Sequence, residues 1–205
     1  MSIESRLSTN LSALSLPDLT PQACQRFESY YDLLIRWNQK TNLTAIRDEE
    51  GIVRRHFVES IACAYAIPAD VASLLDFGSG AGFPGLPIAI CRDEIRVTLA
   101  ESQGKKAAFL REAVRSLGLQ AVVHGGRAEE LKVLFDCVTM RAVDRMEVAI
   151  DAAIDLTRPG GWYLPMSSQK EREVVHTIAG DRVEWMDERR ISPQEETLIL
   201  VGRRK

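Results

Sequence analysis

Two patterns of hydrophobic and polar positions divide the chain near residue 70. In the first part, apolar residues recur every three to four positions, which places them on one face of a helix. The clearest run consists of Phe27, Tyr30, Tyr31, Leu34 and Trp37. From Ala72 onward, short apolar runs alternate with amphipathic segments, a pattern typical of a parallel sheet with connecting helices. We therefore predict an α/β protein with a helical extension, residues 1–70, and one further domain, residues 71–205.

Local signals set the expected elements. Thr20 followed by Pro21 favours a helix start, because threonine caps free N–H groups and proline carries none. A second helix is expected from Glu49 to Ala66, after a polar loop at 38–45. The strands expected in the second part are 73–77, 96–100, 121–124, 134–140 and 161–166, and the helices are 84–91, 104–117 and 145–157. The last two strands, 182–187 and 197–202, would form a hairpin antiparallel to part of the sheet.

The first predicted strand is followed by a loop from Gly78 to Gly85 with glycines at alternate positions. Glycine lacks a Cβ atom, so the backbone of such a loop can approach a ligand closely or adopt a positive φ. A dinucleotide fingerprint would need its third glycine at position 83, which is Phe83. The tighter spacing, with Asp76 two residues upstream, resembles the first motif of S-adenosylmethionine (SAM) methyltransferases. A glycine turn in any other α/β protein is the alternative.

Polar residues also follow the ends of other predicted strands. Glu101 lies 23 residues beyond Gly78, where a carboxylate can accept hydrogen bonds from both hydroxyls of a ribose. Ala128 and Glu129 follow the third strand and are placed to meet an adenine edge, although they equally fit the first turn of a helix. Arg141 ends the fourth strand, where its guanidinium can hold a carboxylate or a phosphate. For each charged residue, a solvated surface position is the alternative.

Composition narrows the class of protein. The net charge of −3 and the pI of about 5.7 argue against a general nucleic-acid coat protein. A local basic face is compatible with this total, because binding follows the local potential. The cysteines are far apart and far from any histidine, so we expect no metal site and a reducing cytoplasm. Neither a signal peptide nor a membrane span is expected from the apolar runs.

Six sequence blocks carry a closer resemblance. They are Trp37-Asn-x-Lys40-x-Asn42-Leu-Thr44, Arg55-His56-Phe-x-Glu59-Ser60, the loop Gly78 to Gly85, Gly104-Lys-Lys106, Gly126-Arg-Ala-Glu129 and Arg141-Ala-Val143. In this order they resemble the bacterial small-subunit (16S) ribosomal RNA guanine-N7 methyltransferase family, also called glucose-inhibited division protein B. The resemblance runs from about residue 27 to residue 145. One departure is Leu164-Pro-Met-Ser-Ser168, where family members usually carry Lys-Gly.

The resemblance implies a class I SAM-dependent methyltransferase, with a Rossmann-like, mostly parallel sheet and an antiparallel C-terminal hairpin. It implies methyl transfer to N7 of a guanine near the decoding region, with S-adenosylhomocysteine as the second product and no metal. The partner would be 16S rRNA or the small ribosomal subunit. The implied cofactor contacts are Gly78, Gly80, Gly82, Phe83, Glu101, Ala128, Glu129 and Arg141. The candidate RNA contacts are Lys40, Asn42, Arg55, His56 and Arg141.

Guanine N7 carries a lone pair and no proton, so we expect no general base. We expect Arg141 to meet a carboxylate, a phosphate or the guanine O6 edge, since a cation against N7 would oppose the transfer. Lys105 and Lys106 open a helix, an unfavourable place for cations, and we expect them to face the cleft or the RNA. The chain is expected to be a cytoplasmic monomer.

Three other functions are weighed against this one. A SAM methyltransferase acting on a protein or a small molecule is favoured by the acidic pI and opposed by the N-terminal blocks. A nicotinamide dehydrogenase is opposed by the glycine spacing. A binding module without activity would keep the fold and bind no cofactor.

Overall fold

The computed structural model describes residues 2–143, 145–191 and 196–205, and these form a seven-stranded sheet with helices on both faces. The strands are β1 (Ser73–Phe77), β2 (Arg96–Ala100), β3 (Ala121–His124), β4 (Phe135–Arg141), β5 (Thr157–Ser168), β6 (Val183–Arg190) and β7 (Thr197–Arg204). The helices are α1 (Ile3–Ala13), α2 (Pro21–Thr41), α3 (Glu49–Gly51), α4 (Glu59–Ala66), α5 (Gly85–Cys91), α6 (Gly104–Ser116), α7 (Met146–Leu156) and α8 (Arg172–Ala179). A π-helix, Ile52–Val58, joins α3 to α4.

The strand order is β3-β2-β1-β4-β5-β7-β6, with β1 to β5 parallel and β7 antiparallel to both of its neighbours. The predicted mostly parallel sheet with an antiparallel C-terminal hairpin is therefore confirmed. The chain moves outward from β1 to β3 on one side and then returns to β4 on the other side. Ligands of open α/β sheets bind at the carboxyl ends of the strands where this reversal occurs.

Helices cover both faces of the sheet. Since neighbouring residues of a strand point to opposite faces, each strand contributes side chains to two separate cores. Leu74 belongs to the core on one face and Leu75 to the core on the other, and Cys137 and Val138 alternate in the same way. The first core also contains the buried side chains of α1, α2, α4, α5 and α6. The second contains those of α7 and α8. The N-terminal helices therefore share a hydrophobic core with one face of the sheet.

The expected start of α2 is confirmed. The Thr20 hydroxyl accepts a hydrogen bond from the N–H of Ala23 at 3.2 Å, and Pro21 is the first helical residue. The apolar face of α2 is buried, with Phe27 and Tyr30 inaccessible to solvent.

Several boundaries differ from the sequence-based expectation. The strand expected at 161–166 begins at Thr157, because a shift in its pairing with β4 admits the Pro-Gly-Gly segment into the strand. The helix α8 was not predicted. It is amphipathic but short, and only Val175 and Ala179 are buried. Part of the helix expected from Glu49 to Ala66 is a π-helix. The charged loop expected between the last strands includes residues 192–195, which lie outside the described residues.

Candidate active site

A cleft of about 520 Å³ opens at the carboxyl ends of β1, β2 and β4. Eight of the predicted site residues line it, namely Gly78, Gly80, Phe83, Glu101, Ala128, Glu129, Arg141 and His56. Four do not, namely Gly82, Lys40, Asn42 and Arg55. Positions spread over 86 residues of sequence, from His56 to Arg141, thus come together at the strand reversal.

The glycine-rich loop has the backbone geometry that its sequence suggests. Gly78, Gly80 and Gly82 have φ values of 72°, 57° and 96°. A Cβ atom on Gly82 would lie 2.4 Å from Cδ1 of Leu86 and 2.8 Å from the Tyr30 hydroxyl oxygen. Gly82 is therefore required behind the loop, where it permits close packing, rather than on the surface of the cleft. The Tyr30 hydroxyl also donates to the carbonyl of Ala81 at 2.6 Å, so the N-terminal extension supports the loop directly.

Glu101 is held firmly at the end of β2. One carboxylate oxygen accepts from the N–H of Gly80 at 2.9 Å, and the other accepts from the N–H of Gln103 at 2.7 Å. The residue is only 6% exposed, yet it lines the cleft. A carboxylate offers about four acceptor positions, so both oxygens retain capacity for hydroxyl groups of a ligand.

Asp76 lies beneath the loop rather than in the cleft. It is wholly buried, and its Oδ2 atom accepts from the N–H of Gly85 at 3.0 Å. Burial raises the pKa of Asp76 to about 7, although the hydrogen bond from the N–H of Gly85 opposes the change. The carboxyl group thus fastens the start of α5 to the end of β1, which is a structural role for this acid of the motif.

The turn after β3 is a short helix and also part of the cleft wall. Residues Ala128–Glu130 form one turn of 3-10 helix, and Ala128 and Glu129 also line the cleft. Ala128 is buried, whereas the Glu129 carboxylate is exposed and lies 3.4 Å from the Arg127 guanidinium. Lys106 of α6 lines the same side of the cleft, as its position at a helix start suggested, but Lys105 does not.

Arg141 meets a carboxylate, and that carboxylate belongs to the protein. Its Nη2 atom lies 2.5 Å from Oε2 of Glu59 and donates to the carbonyl of Arg55 at 2.7 Å. Glu59 is inaccessible to solvent, and its other oxygen accepts from the Thr197 hydroxyl at 3.0 Å. Glu59 stands in one of the six sequence blocks, but the block itself indicates no role for it. An acid among the apolar residues of a predicted helix was the signal that could have identified it.

His56 stacks on Phe83, with ring centroids 4.5 Å apart and an angle of 14° between the planes. Its Nε2 atom lies 2.7 Å from the hydroxyl oxygen of Thr44, and all three residues line the cleft. Burial, together with the positive charges of Arg141 and Arg55, lowers the pKa of His56 to about 3. The imidazole is therefore neutral near pH 7 and brings no positive charge to a phosphate.

The π-helix places these groups. Its wider turns, which occur often at functional sites, carry both His56 and Arg55 on the segment that faces the end of β4. The Arg55 side chain itself is exposed, while its carbonyl contacts Arg141.

Three predicted RNA contacts, Lys40, Asn42 and Arg55, do not line the cleft. Lys40 and Asn42 are exposed, and Asn42 immediately precedes Leu43 and Thr44, which do line the cleft. The Asn42 side-chain oxygen accepts from the Arg47 guanidinium at 2.9 Å. We call Lys40, Asn42 and the exposed Arg55 the polar rim, because each lies within a few residues in sequence of a residue that lines the cleft.

Two further features concern the described residues only. Their His, Cys, Asp and Glu side chains form no group of three suited to binding a metal ion. Nor does any helix in the described ranges combine the length and the apolar character needed to span a membrane.

Comparisons with known proteins agree with this geometry. Residues 23–187 match the family model described as rRNA small subunit methyltransferase G. A protein named ribosomal RNA small subunit methyltransferase G from Pelotomaculum thermopropionicum is 41% identical over 180 residues, covering 81% of this chain and 75% of the relative. Its namesake from Neisseria meningitidis serogroup B is 34% identical over 209 residues, covering 99% of this chain and 100% of the relative.

Solved structures share the fold at low sequence identity. A magnesium protoporphyrin IX methyltransferase from Synechocystis PCC 6803, solved with bound SAM, has a TM-score of 0.63 at 14% identity, covering 91% of this chain and 98% of that one. An N-methyltransferase from Bradyrhizobium japonicum has a TM-score of 0.58 at 19% identity, covering 77% and 98%. The predicted class I methyltransferase fold is thus confirmed. Since the family match covers most of its length, the chain belongs to the rRNA small subunit methyltransferase G family.

Proposed function

We propose that this protein transfers the methyl group of SAM to N7 of a specific guanine in 16S rRNA, near the decoding region. The observation that carries the proposal is the cleft at the strand reversal, where the glycine loop, Glu101 and Arg141 meet. It occurs in a chain whose family is named for methylation of small-subunit rRNA.

The residues of the cleft fit SAM. A volume of about 520 Å³ lies in the range of small-molecule sites. Glu101, fixed by two backbone N–H groups, would accept the ribose hydroxyls, and the small side chain of Ala128 would border the adenine. Gly78 and Gly80 would present bare backbone to the amino-acid part, while Gly82 maintains the shape of the loop. When bound, SAM supplies an electrophilic methyl group, and S-adenosylhomocysteine remains.

The acceptor chemistry needs no proton transfer before the methyl group moves. Guanine N7 already carries an in-plane lone pair, so the protein has to align the acceptor with the methyl group and exclude water. His56 is consistent with a reaction that needs no base, because an imidazole with a pKa of about 3 is a poor base at neutral pH. Stacked on Phe83, it instead forms a flat, neutral wall of the cleft.

The RNA would be positioned through its phosphates. Lys40, Arg55 and Arg47 are exposed and lie close in sequence to residues that line the cleft, and they would contact phosphate oxygens without reading sequence. The target base would have to leave its stack to reach the cleft, as in other enzymes that modify bases. Asn42 would contribute hydrogen bonds rather than charge.

The two parts of the chain would have different tasks. Residues 1–70 would serve as the RNA-facing extension and residues 71–205 as the methyltransferase domain. The protein would act as a cytoplasmic monomer, which light scattering of the purified protein tests. The Tyr30 contact with the glycine loop supports a direct connection between the two parts.

The decisive experiment maps N7-methylguanine in rRNA from cells with and without this gene. We expect one site in 16S rRNA to lose its methyl group in the deletion strain. The purified protein, incubated with methyl-labelled SAM, should restore the label on deletion-strain small subunits or their RNA. Label that appears instead in protein or in small molecules would support the alternative substrate class. RNA binding that is insensitive to salt would contradict phosphate contacts.

A further inference from the structure

The buried carboxylate of Glu59 joins three distant parts of the chain at the cleft. It lies at the start of α4, it pairs with Arg141 at the end of β4, and it accepts from Thr197 at the start of β7. Glu59 is inaccessible to solvent, whereas the side chain of Arg141 retains 15% exposure and lines the cleft. The ion pair therefore has its negative end inside the protein and its positive end towards the opening.

This arrangement fixes the direction of the Arg141 side chain. The guanidinium donates both to Glu59 and to the carbonyl of Arg55, so it is held from two sides. The Thr197 hydroxyl in turn orients the carboxylate. Hydrogen bonds to ionised groups are stronger than neutral ones, and such a chain of them restricts every member.

The charge of the pair matters as much as its geometry. The proposed cofactor brings a positive sulfonium into a cleft that already contains the positive guanidinium of Arg141. Charges interact strongly where water is excluded, so an Arg141 without a nearby countercharge would disfavour a cationic ligand. The Glu59 carboxylate, 2.5 Å from Nη2, supplies that negative charge from the protein interior.

We propose that Glu59 is a positioning residue that aims Arg141 into the cleft and offsets its charge, so that the site accepts the sulfonium of SAM. The inference rests on the proposed function, because it concerns the same cofactor. It yields a readout that a merely structural ion pair would not change. SAM and S-adenosylhomocysteine have nearly the same shape but differ by one positive charge, so their relative affinity reports the potential at the sulfur.

The test measures the dissociation constants of SAM and S-adenosylhomocysteine by calorimetry for the full-length protein and its variants. In Glu59→Gln the shape of the side chain is kept and its charge is removed. We expect affinity for SAM to fall about tenfold more than affinity for S-adenosylhomocysteine. Thr197→Val is the matched control, since it removes the hydrogen bond from Thr197 to Glu59 without changing any charge. It should leave the ratio of the two constants as in the wild type.

Two more variants keep the test decisive if Glu59→Gln does not fold. Arg141→Gln removes the positive charge instead and should shift the ratio in favour of SAM. The double variant Glu59→Gln/Arg141→Gln removes both charges, which is much less destabilising than leaving one of them buried alone. Its affinity for both ligands should fall, but the ratio should return close to the wild-type value.

Equal losses for both ligands in the folded single variants would overturn the inference and make Glu59 a structural residue only. An unchanged affinity for both ligands would overturn it as well. A wild-type protein that binds neither ligand would contradict the proposed function itself. The two failures are therefore distinguishable from the same set of titrations.

Discussion

The two ends of the cleft are built in different ways. The end that holds Glu101 and the glycine loop consists of segments 23 residues apart, and its contacts are mainly backbone N–H groups. The end that holds Arg141 is built from side chains of the N-terminal helices, β4 and β7. The first end owes its geometry to local backbone conformation, and the second to packing between distant parts of the chain.

This difference separates the expected effects of substitution. Changes at the glycine-loop end should reduce the stability of the fold or the affinity for cofactor. Changes at His56 and at the polar rim, on the Arg141 side of the cleft, should alter methyl transfer and RNA binding more than they alter cofactor affinity. The Glu59–Arg141 ion pair at the same end should instead change the affinity for SAM relative to S-adenosylhomocysteine. The following variants test that division.

The largest effect is expected from Asp76, which supports the glycine loop from below. Because burial raises its pKa from 3.8 to about 7, the folded protein holds this proton more tightly than the unfolded chain. The resulting stabilisation is complete below about pH 4 and is lost as the pH rises through about 7. Asparagine does not ionise, so in Asp76→Asn the free energy of unfolding should lose a pH-dependent change of roughly 4 kcal/mol across this range. The fold should be kept, because asparagine can still accept the hydrogen bond from Gly85.

Urea unfolding at a series of pH values measures this difference between variant and wild type. Asp93→Asn, at an exposed position before β2, is the control and should give the same pH dependence as the wild type. A constant difference between Asp76→Asn and the wild type at every pH would contradict the prediction.

Gly82→Ala should be the next most damaging change. A side chain at φ 96° is strained, and the added Cβ would lie 2.4 Å from Leu86. We expect a loss of about 3 kcal/mol of stability, or about 6–12 °C in Tm, and weaker SAM binding. Calorimetry measures both quantities. Gly104→Ala is the matched control, because nothing lies within 4 Å of its added Cβ, and it should be neutral.

Glu101→Gln keeps the shape of the side chain but removes its charge. Since hydrogen bonds to a charged group contribute about 1.5–3 kcal/mol, SAM affinity should fall about 10–100-fold while the fold is kept. Titration with SAM measures this loss. Glu94→Gln, just before β2 and therefore at the opposite edge of the sheet, should bind SAM normally. An unchanged affinity in Glu101→Gln would remove the proposed ribose contact.

His56→Leu tests the other end of the cleft. It removes the stacking on Phe83 and the hydrogen bond with Thr44. We expect methyl transfer to RNA to fall about tenfold, with SAM affinity changed less than about threefold. Thr44→Val removes only the hydrogen bond and should have the smaller effect. A greater loss of SAM affinity than of transfer would erase the distinction between the two ends.

The smallest effects are expected at the polar rim. Lys40→Ala and Arg55→Ala should each weaken RNA binding slightly and lower the slope of log affinity against log salt by about one. Filter binding at several salt concentrations measures the slope. Arg96→Ala, exposed at the start of β2 and far from the cleft, should leave the slope unchanged. If Lys40→Ala and Arg55→Ala kept the wild-type slope, as expected for Arg96→Ala, these two residues would not contact the RNA.

The elements that the sequence predicted well have strong local signals. The strands β1 to β4 match their expected positions within one residue, because apolar runs bounded by turns define them. The helix α8 was missed because it is short and half-exposed, and the start of β5 was misplaced because Pro159-Gly-Gly161 resembles a turn. Pairing with β4 and β7 overrode that local preference.

By itself, the sequence determined the alternation of strands and helices, the glycine loop and the acid at the end of β2. These features depend on the conformational freedom of glycine and on the spacing of hydrophobic residues along the chain, and both are set by residues close together in sequence. Only the tertiary structure decided that Glu59 is the partner of Arg141, that His56 stacks on Phe83 as a neutral ring, and that Gly82 packs against Tyr30. Those contacts join segments far apart in the chain, and they form only when the N-terminal helices and the sheet exclude water from a common core.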